Sequence, residues 1–344
     1  MAVFRRRPHL LRRLPAAVAL LALLCLAQGV LAAGQIRIAV SDIGAGGRPA
    51  GGGLVDVLHA QQRLERAFAD EGVEVQWVFV KGAGPVINEA FANGQVDVAF
   101  LGDLASIVGK AGNLDTRVIA AAARGVNHYL AVRPGSSIHT LADLKGKRVG
   151  LFRGTAAQLS FISALHASGL EERDLQVINL DFAAASAALA AGHIDATWGG
   201  HNALALAERG LADLPVSTRD TAHGAGQLSG LVLASERFAS RHPHWLQRLV
   251  AVQREAVRWA ADPANREAYI QLQADQSGYP QSLVRAELEG ADLAQLLSPE
   301  LDDAFVGHLR DAIRIARQAR LIRRPVDLDD WLDRRFLERS AVRP

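Results

Sequence analysis

The chain has 344 residues, 49% hydrophobic and 22% charged, with 38 basic and 36 acidic side chains and a formal net charge of +2. That length and composition suit a packed core over two ordinary domains, exclude a disordered or collagen-like chain, and give no charge excess that points to nucleic acid. The single cysteine, Cys25, excludes a disulfide framework, a cysteine zinc site and an iron–sulfur cluster within the chain.

Residues 1–33 read as an export signal. Arg5, Arg6, Arg7, Arg12 and Arg13 form a positive leading region, Leu14–Leu26 an apolar stretch, and Val30-Leu31-Ala32 a small-residue cleavage site. Cleavage is expected near residues 32–33, which marks the mature chain as exported, and the resemblance given below implies the periplasm. Without those five arginines the balance is 33 basic to 36 acidic, a net of −3. The mature chain would hold no cysteine, so an oxidising compartment poses no problem.

The elements beyond residue 33 alternate strand and helix. Ile36–Val40 is predicted as a strand, followed by a loop with six glycines among residues 44–53. One amphipathic helix then carries Leu54, Leu58, Leu64 and Phe68 near one face. Val73–Val80 and Val96–Leu101 are strands flanking a short helix over 85–92; a helix starts near Asp103, and Arg117–Ala123 is a fourth strand. A second set follows. Strands are predicted at His128–Val132, Arg148–Phe152, Leu175–Leu180 and Ile194–Trp198. Helices are predicted at Thr155–Ala167, Ala183–Ala191 and Asn202–Arg209. After about residue 235 the strands stop. Trp245, Leu249, Val252, Ala256 and Trp259 form one helical stripe, and Leu301, Phe305, Leu309 and Ile313 another. This alternation predicts α/β architecture with open sheets and flanking helices.

One internal echo is informative. Residues 92–103, Ala-Asn-Gly-Gln-Val-Asp-Val-Ala-Phe-Leu-Gly-Asp, align without gaps to residues 190–201, Ala-Ala-Gly-His-Ile-Asp-Ala-Thr-Trp-Gly-Gly-His. Each copy reads as a helix closed by Gly, a strand, and a Gly before the next helix. Two similar lobes facing each other would form a cleft, with ligand beyond the carboxyl ends of the strands at helix N-termini that favour anions. The strand-end loops there are Ser41–Gly44, Lys81–Pro85, Gly102-Asp103, Phe152–Ala156, Asp181-Phe182 and Trp198–His201.

Other chemistries fit poorly. Gly44–Pro49 lacks the last Gly of a dinucleotide fingerprint, and neither Gly-Lys-Ser/Thr nor Gly-x-Ser-x-Gly occurs. His242-Pro243-His244 has no nearby third ligand for a metal. No cofactor or metal is expected. Asp302-Asp303 and Asp329-Asp330 read as helix-start charges, and Lys145–Arg148 as an exposed turn.

The chain from 35 to 337 resembles the periplasmic substrate-binding proteins of ABC importers, in the aliphatic sulfonate, taurine and nitrate group. The resemblance rests on Ala83-Gly84-Pro85, Val96–Asp103, Leu141–Val149 and Gly192–Ala196, with Val326-Asp327 and Trp331-Leu332 in the tail; Ala-Gly-Pro and Gly-Asp lean toward alkanesulfonate binders. It implies a two-lobed periplasmic binding protein fold of type II with two crossovers. Residues 34–125 plus 225–344 would form lobe one with the C-terminal helices, and residues 126–224 lobe two. It implies a non-enzyme that captures a small organic anion, most simply a sulfonate, and hands it to a permease membrane subunit, acting as a monomer without nucleic acid. Nitrate, a pyrimidine or an aromatic acid as ligand, or a sensory cleft uncoupled from transport, are the other readings. Fold relatives that act as thiamine-pyrimidine synthases use a Cys-rich motif that the mature chain lacks.

Under this resemblance, N–H groups near Gly84, Asp103, Thr155 and Ala156 hold the anion, with the Thr155 hydroxyl beside them. Gln227 and Ser229 add side-chain bonds, Arg153 adds charge, and Trp198 and Phe182 flank the apolar part. Ser41, Ala83, Pro85, Gly102, His128, Gly154, Gly200 and His201 complete the expected site. The family commonly places Trp-x-Pro after the second-lobe strand. Here Trp198 is followed by Gly199-Gly200-His201, which leaves more room and adds an imidazole.

Overall fold

A computed structural model describes residues 34–81, 83–221 and 224–340. The expected export segment and Cys25 lie outside the described residues. Two five-stranded sheets account for the strands. In the first, β1 (Gly34–Ser41) pairs in parallel with β2 (Val73–Val80) and β3 (Val98–Gly102). Helices α1 (Gly53–Ala60), α2 (Arg63–Phe68) and α3 (Ala83–Ala92) make the crossovers, and α4 (Asp103–Ala111) leads to β4 (Thr116–Val126). The second sheet is built from β5 (Tyr129–Val132), β6 (Arg148–Leu151), β7 (Gln176–Asn179), β8 (Ala196–Gly199) and β9 (Asp213–Ser217), in the order β7-β6-β8-β5-β9. Its helices are α5 (Ala156–Ala167), α6 (Phe182–Ala190) and α7 (His201–Glu208). The chain then returns as β10 (Leu228–Ser235), which inserts antiparallel between β3 and β4 to give the order β2-β1-β3-β10-β4.

The run Val98–Leu101 is apolar at every position because both faces of β3 are covered, and all four residues are buried. The amphipathic stretch after residue 53 is two helices rather than one. Gln62 adopts a left-handed backbone (φ 47°), and the helix restarts there, so Leu64 and Phe68 still reach the core that Leu54 and Leu58 enter. Strands β9 and β10 are not anticipated by the sequence pattern. Pro215 inside β9 argues against a strand, but β9 pairs only with β5 at the sheet edge, where a missing N–H is tolerated.

The echo between 92–103 and 190–201 has a physical basis. Gly94 (φ 65°) and Gly192 (φ 76°) each take the left-handed conformation that closes a helix. Asp97 then clamps Arg37 at the start of β1's core-facing run: its Oδ2 accepts from the Arg37 backbone N–H (3.0 Å) and Nε (2.8 Å), and Oδ1 from Nη2 (2.8 Å). Asp195 makes the same set of bonds to Arg148 on β6, at 2.8, 3.2 and 2.8 Å. Arg148 is therefore the partner of a conserved-geometry clamp and not a plain turn residue. The C-terminal part is helical: α8 (Glu236–Arg241), α9 (Pro243–Ala261), α10 (Arg266–Ser277), α11 (Gln281–Glu287), α12 (Leu293–Leu296) and α13 (Asp303–Gln318). The stripe Trp245, Leu249, Val252 and Ala256 is buried in the first core, with Trp259 packed partly against it.

The two crossovers between the sheets are bonded to each other. Thr218 N–H donates to the His128 carbonyl (2.9 Å), His128 N–H donates to Thr218 Oγ1 (2.9 Å), and Gln227 Nε2 donates to Asn127 Oδ1 (3.0 Å).

Candidate functional site

A cavity of about 900 Å³ lies between the two sheets and extends under the C-terminal helices. That is the size of a site for a small organic molecule. Its first wall is the strand ends and helix starts expected from the sequence. Ser41, Gly84, Gly102, Thr155, Ala156, Gln227 and Ser229 all line it, as do His128, Phe182, Gly200 and His201. The lobes meet closely here: a Cβ placed on Gly102 would stand 2.7 Å from Ala156 Cβ, and one on Gly154 would stand 3.2 Å from Pro85 Cγ. Only glycine lets these backbones approach. Helix α5 is twelve residues long, and the N–H groups of Thr155, Ala156 and Ala157 in its first turn donate to no acceptor among the described residues. They present a ready set of donors and a partial positive charge to an anion. The Ser229 hydroxyl is likewise without a partner among the described residues, while its N–H donates to Asp103 Oδ2 (3.1 Å).

Several expected contacts are placed elsewhere. Trp198 is buried in the second-lobe core, packed on Phe161 and donating from Nε1 to Ser160 Oγ (2.8 Å), so it does not flank the cavity. Arg153 is exposed, and its guanidinium pairs with Glu172 (3.1 Å) on the outer side. The Thr155 hydroxyl donates to the Phe152 carbonyl (2.7 Å), so the backbone and not that hydroxyl is free to donate to an anion. Asp103 is fully buried behind Ser229, and Pro85 and Gly154 do not line the cavity; the Ala83 side chain lies outside the described residues. The glycine-rich loop also turns inward. Asp42 Oδ1 accepts from Gly44 and Ala50, Asp56 Oδ1 from Gly51, and Gln273 bonds both the N–H and the carbonyl of Gly53. Those amides are used in holding the loop to itself, to α1 and to α10.

Burial shapes the charges at this wall. It pushes the Asp103 carboxyl up to about 7, against the lowering effect of the Ser229 and Leu104 N–H groups. It pushes the His128 imidazole down to about 4, although the Asn127 carbonyl bond works the other way. His128 is therefore neutral near pH 7. With Nδ1 donating to that carbonyl (3.0 Å), its Nε2 carries no proton and cannot serve as a cationic donor.

The second wall was not legible in the sequence. It is formed by Tyr269 and Gln273 of α10, Tyr279, and Glu287 of α11, facing His201 and Asn202 of α7. His201 Nε2 lies 2.6 Å from Glu287 Oε2, and the Tyr279 ring stacks on the imidazole at 5.3 Å and 14°. Arg219 Nη2 donates to the Glu287 carbonyl (3.1 Å), and Ser282 bonds Glu208. Burial alone would lower the His201 pKa, but the Glu287 charge and hydrogen bond, with Asp56 beyond, outweigh it and hold it above 6.5. Burial would likewise raise Glu287, and His201 overrides it and holds the carboxyl below its usual range. The aromatic at a Gly278-Tyr279-Pro280 break between two polar helices was the one available signal. Among the described residues no cluster of three metal-ligating side chains occurs, and His242 stacks on Trp245 at 4.0 Å instead.

Comparisons with known proteins bear on the fold and the family. The periplasmic sulfonate-binding protein SsuA from Methylobacillus flagellatus KT is 30% identical, with a TM-score of 0.77 over 89% of this chain and 93% of that one. The alkanesulfonate-binding protein SsuA from Xanthomonas axonopodis pv. citri, solved bound to MOPS, is 24% identical with a TM-score of 0.74 over 87% and 98%. The periplasmic aliphatic sulphonate binding protein SsuA from Escherichia coli is 23% identical with a TM-score of 0.70 over 86% and 96%. The last two show the fold alone, which is the two-lobed binding-protein fold expected from the resemblance. The family model described as NMT1/THI5 like matches residues 67–266, more than half of the sequence, and the chain belongs to the NMT1/THI5-like family.

Proposed function

We propose that the chain is an extracytoplasmic receptor that captures an aliphatic sulfonate or related small organic anion between its two lobes and delivers it to the permease subunit of an ABC importer. The observation that carries this is the row of free N–H groups at the start of α5, facing the interlobe cavity beside Gly102 and Ser229. A sulfonate offers three acceptor oxygens and a single charge, which matches several neutral donors better than it matches an arginine fork. The sulfonate-binding relatives support the ligand class and a periplasmic location. The lobes in this reading divide near residues 125 and 225, where the bonded crossovers let them open and close as units. Delivery as a monomer follows from the same reading.

The desulfurization enzyme DszB shares the fold at 20% identity or less, so the fold does not by itself separate binding from catalysis. What supports a binding role is the chemistry of the cavity wall. His128 is neutral with one nitrogen committed, His201 is held in an ion pair, and no thiol occurs after residue 25.

Calorimetric titration of the ligand-stripped chain with taurine, several alkanesulfonates, an arylsulfonate, nitrate, a pyrimidine and a dicarboxylate tests the reading. One-to-one binding of a sulfonate is the expected result. Binding confined to a non-sulfonate would discard the ligand class and keep the receptor.

A further inference from the structure

Tyr269 is 1% exposed and lines the cavity, yet its hydroxyl makes no hydrogen bond among the described residues. A hydroxyl that opens on a cavity must be paired by whatever fills it, and a ligand that covers it without pairing it is penalised. Asn202 repeats the pattern from the other lobe. Its carboxamide makes no hydrogen bond either, and Nδ2 is fully buried without a partner. Both residues belong to the second wall, next to the His201–Glu287 pair. Asn202 Nδ2 can only donate, so a cationic group, which offers no acceptor, would not pair it. A second anionic group would face the Glu287 and Asp56 carboxylates, whose charges both act on Tyr269. The missing partner is thus an uncharged polar group. Burial first, and then the same two carboxylates, keep the phenol protonated, so Tyr269 has an O–H to donate. The cavity lining is otherwise largely apolar, with Leu101, Phe182 and Leu228 among it.

We infer that the cleft selects sulfonates whose organic part carries an uncharged hydrogen-bonding oxygen, a hydroxyl, ether or carbonyl, and that Tyr269 is the residue that recognises it. This rests on the sulfonate reading above and narrows it. A plain hydrocarbon chain of equal length would leave the Tyr269 hydroxyl and the Asn202 amide unpaired in a closed site, and polar sites reject such analogues strongly.

The test is a set of matched sulfonate pairs titrated into the full mature chain. Suitable pairs are 3-methoxypropanesulfonate against pentanesulfonate, 4-hydroxybutanesulfonate against pentanesulfonate, and 4-hydroxybenzenesulfonate against 4-methylbenzenesulfonate. In at least one pair the oxygenated member should bind about ten-fold tighter or more. Tyr269→Phe, which keeps the ring and its packing, should bring that ratio to about unity, and Asn202→Ala should reduce it. Equal affinities within every wild-type pair would overturn the inference while leaving the sulfonate reading intact. A ratio that Tyr269→Phe leaves unchanged would overturn the role of Tyr269. Absence of binding by every sulfonate would remove the sulfonate reading and the inference with it. The wild-type ratios decide the matter even if a variant fails to fold.

Discussion

His201 and Glu287 face each other at 2.6 Å across the boundary between the second lobe and the C-terminal helices that pack on the first. The bond joins the lobes. It follows that closure depends on pH. His201 is held above its ordinary 6.5, so the contact is fully present below that value and is lost as pH rises through the raised one. Glu287 is held below its ordinary 4.5, so the contact is present above that value and is lost as pH falls through the lowered one. The closed form should therefore be most populated between about pH 4.5 and 6.5. Glu287→Gln should flatten this profile and speed ligand release, measured by stopped-flow dissociation and by the radius of gyration in scattering. A profile identical to wild type would show that the pair does not govern closure.

Asp103 should impose a separate dependence on affinity. Its folded pKa is raised from 3.8 to about 7, so the folded protein binds a proton there that the unfolded chain releases. Its contribution to stability is greatest in acid and is lost as pH rises through about 7. The charged form also stands behind Ser229, at the anion wall. Sulfonate affinity should fall as pH rises past neutrality, and Asp103→Asn should remove that fall. Isothermal titration at a series of pH values measures both.

The contact between Gly102 and Ala156 predicts an unusual separation of effects. A methyl on Gly102 meets Ala156 of the other lobe at 2.7 Å, whereas a methyl on Gly84 meets Ala105 of its own lobe at 2.1 Å. Gly102→Ala should hold the lobes apart and weaken binding by about ten-fold or more with little change in melting temperature. Gly84→Ala should lower the melting temperature as well.

Thr155→Val removes the bond from the hydroxyl to the Phe152 carbonyl and leaves the N–H groups of the α5 start in place. Stability should fall by about 1 kcal/mol, with sulfonate affinity within about three-fold of wild type. A loss of about a hundred-fold would return the hydroxyl to the anion site.

The two carboxylate clamps should differ in weight. The Asp97 side chain is 9% exposed and its Arg37 partner 26%, against 22% and 40% for Asp195 and Arg148. Asp97→Ala should cost about 3 kcal/mol by leaving a half-buried guanidinium unpaired. Asp195→Ala should cost distinctly less, because solvent screens that pair. Denaturant melts of the two variants compare them directly.

Much of this architecture is local and was readable from residue order. Strand runs such as Val73–Val80, the helix-closing Gly94 and Gly192, and the matched Asp97 and Asp195 depend on periodicity and backbone preference within a dozen residues. The anion-facing loops followed for the same reason, since strand ends and helix starts sit together in any α/β sheet. Tertiary structure decided the rest. β10 joins β3 across more than a hundred residues, and no local pattern states that pairing. Trp198 could face core or cleft on periodicity alone, and packing on Phe161 with a bond to Ser160 settled it. Tyr269, Tyr279 and Glu287 reach the cavity only because α10 packs on α1 of the first lobe and carries α11 across to α7 of the second. Short-range preferences specify elements, whereas a binding wall built from separate elements exists only once long-range packing has brought them together.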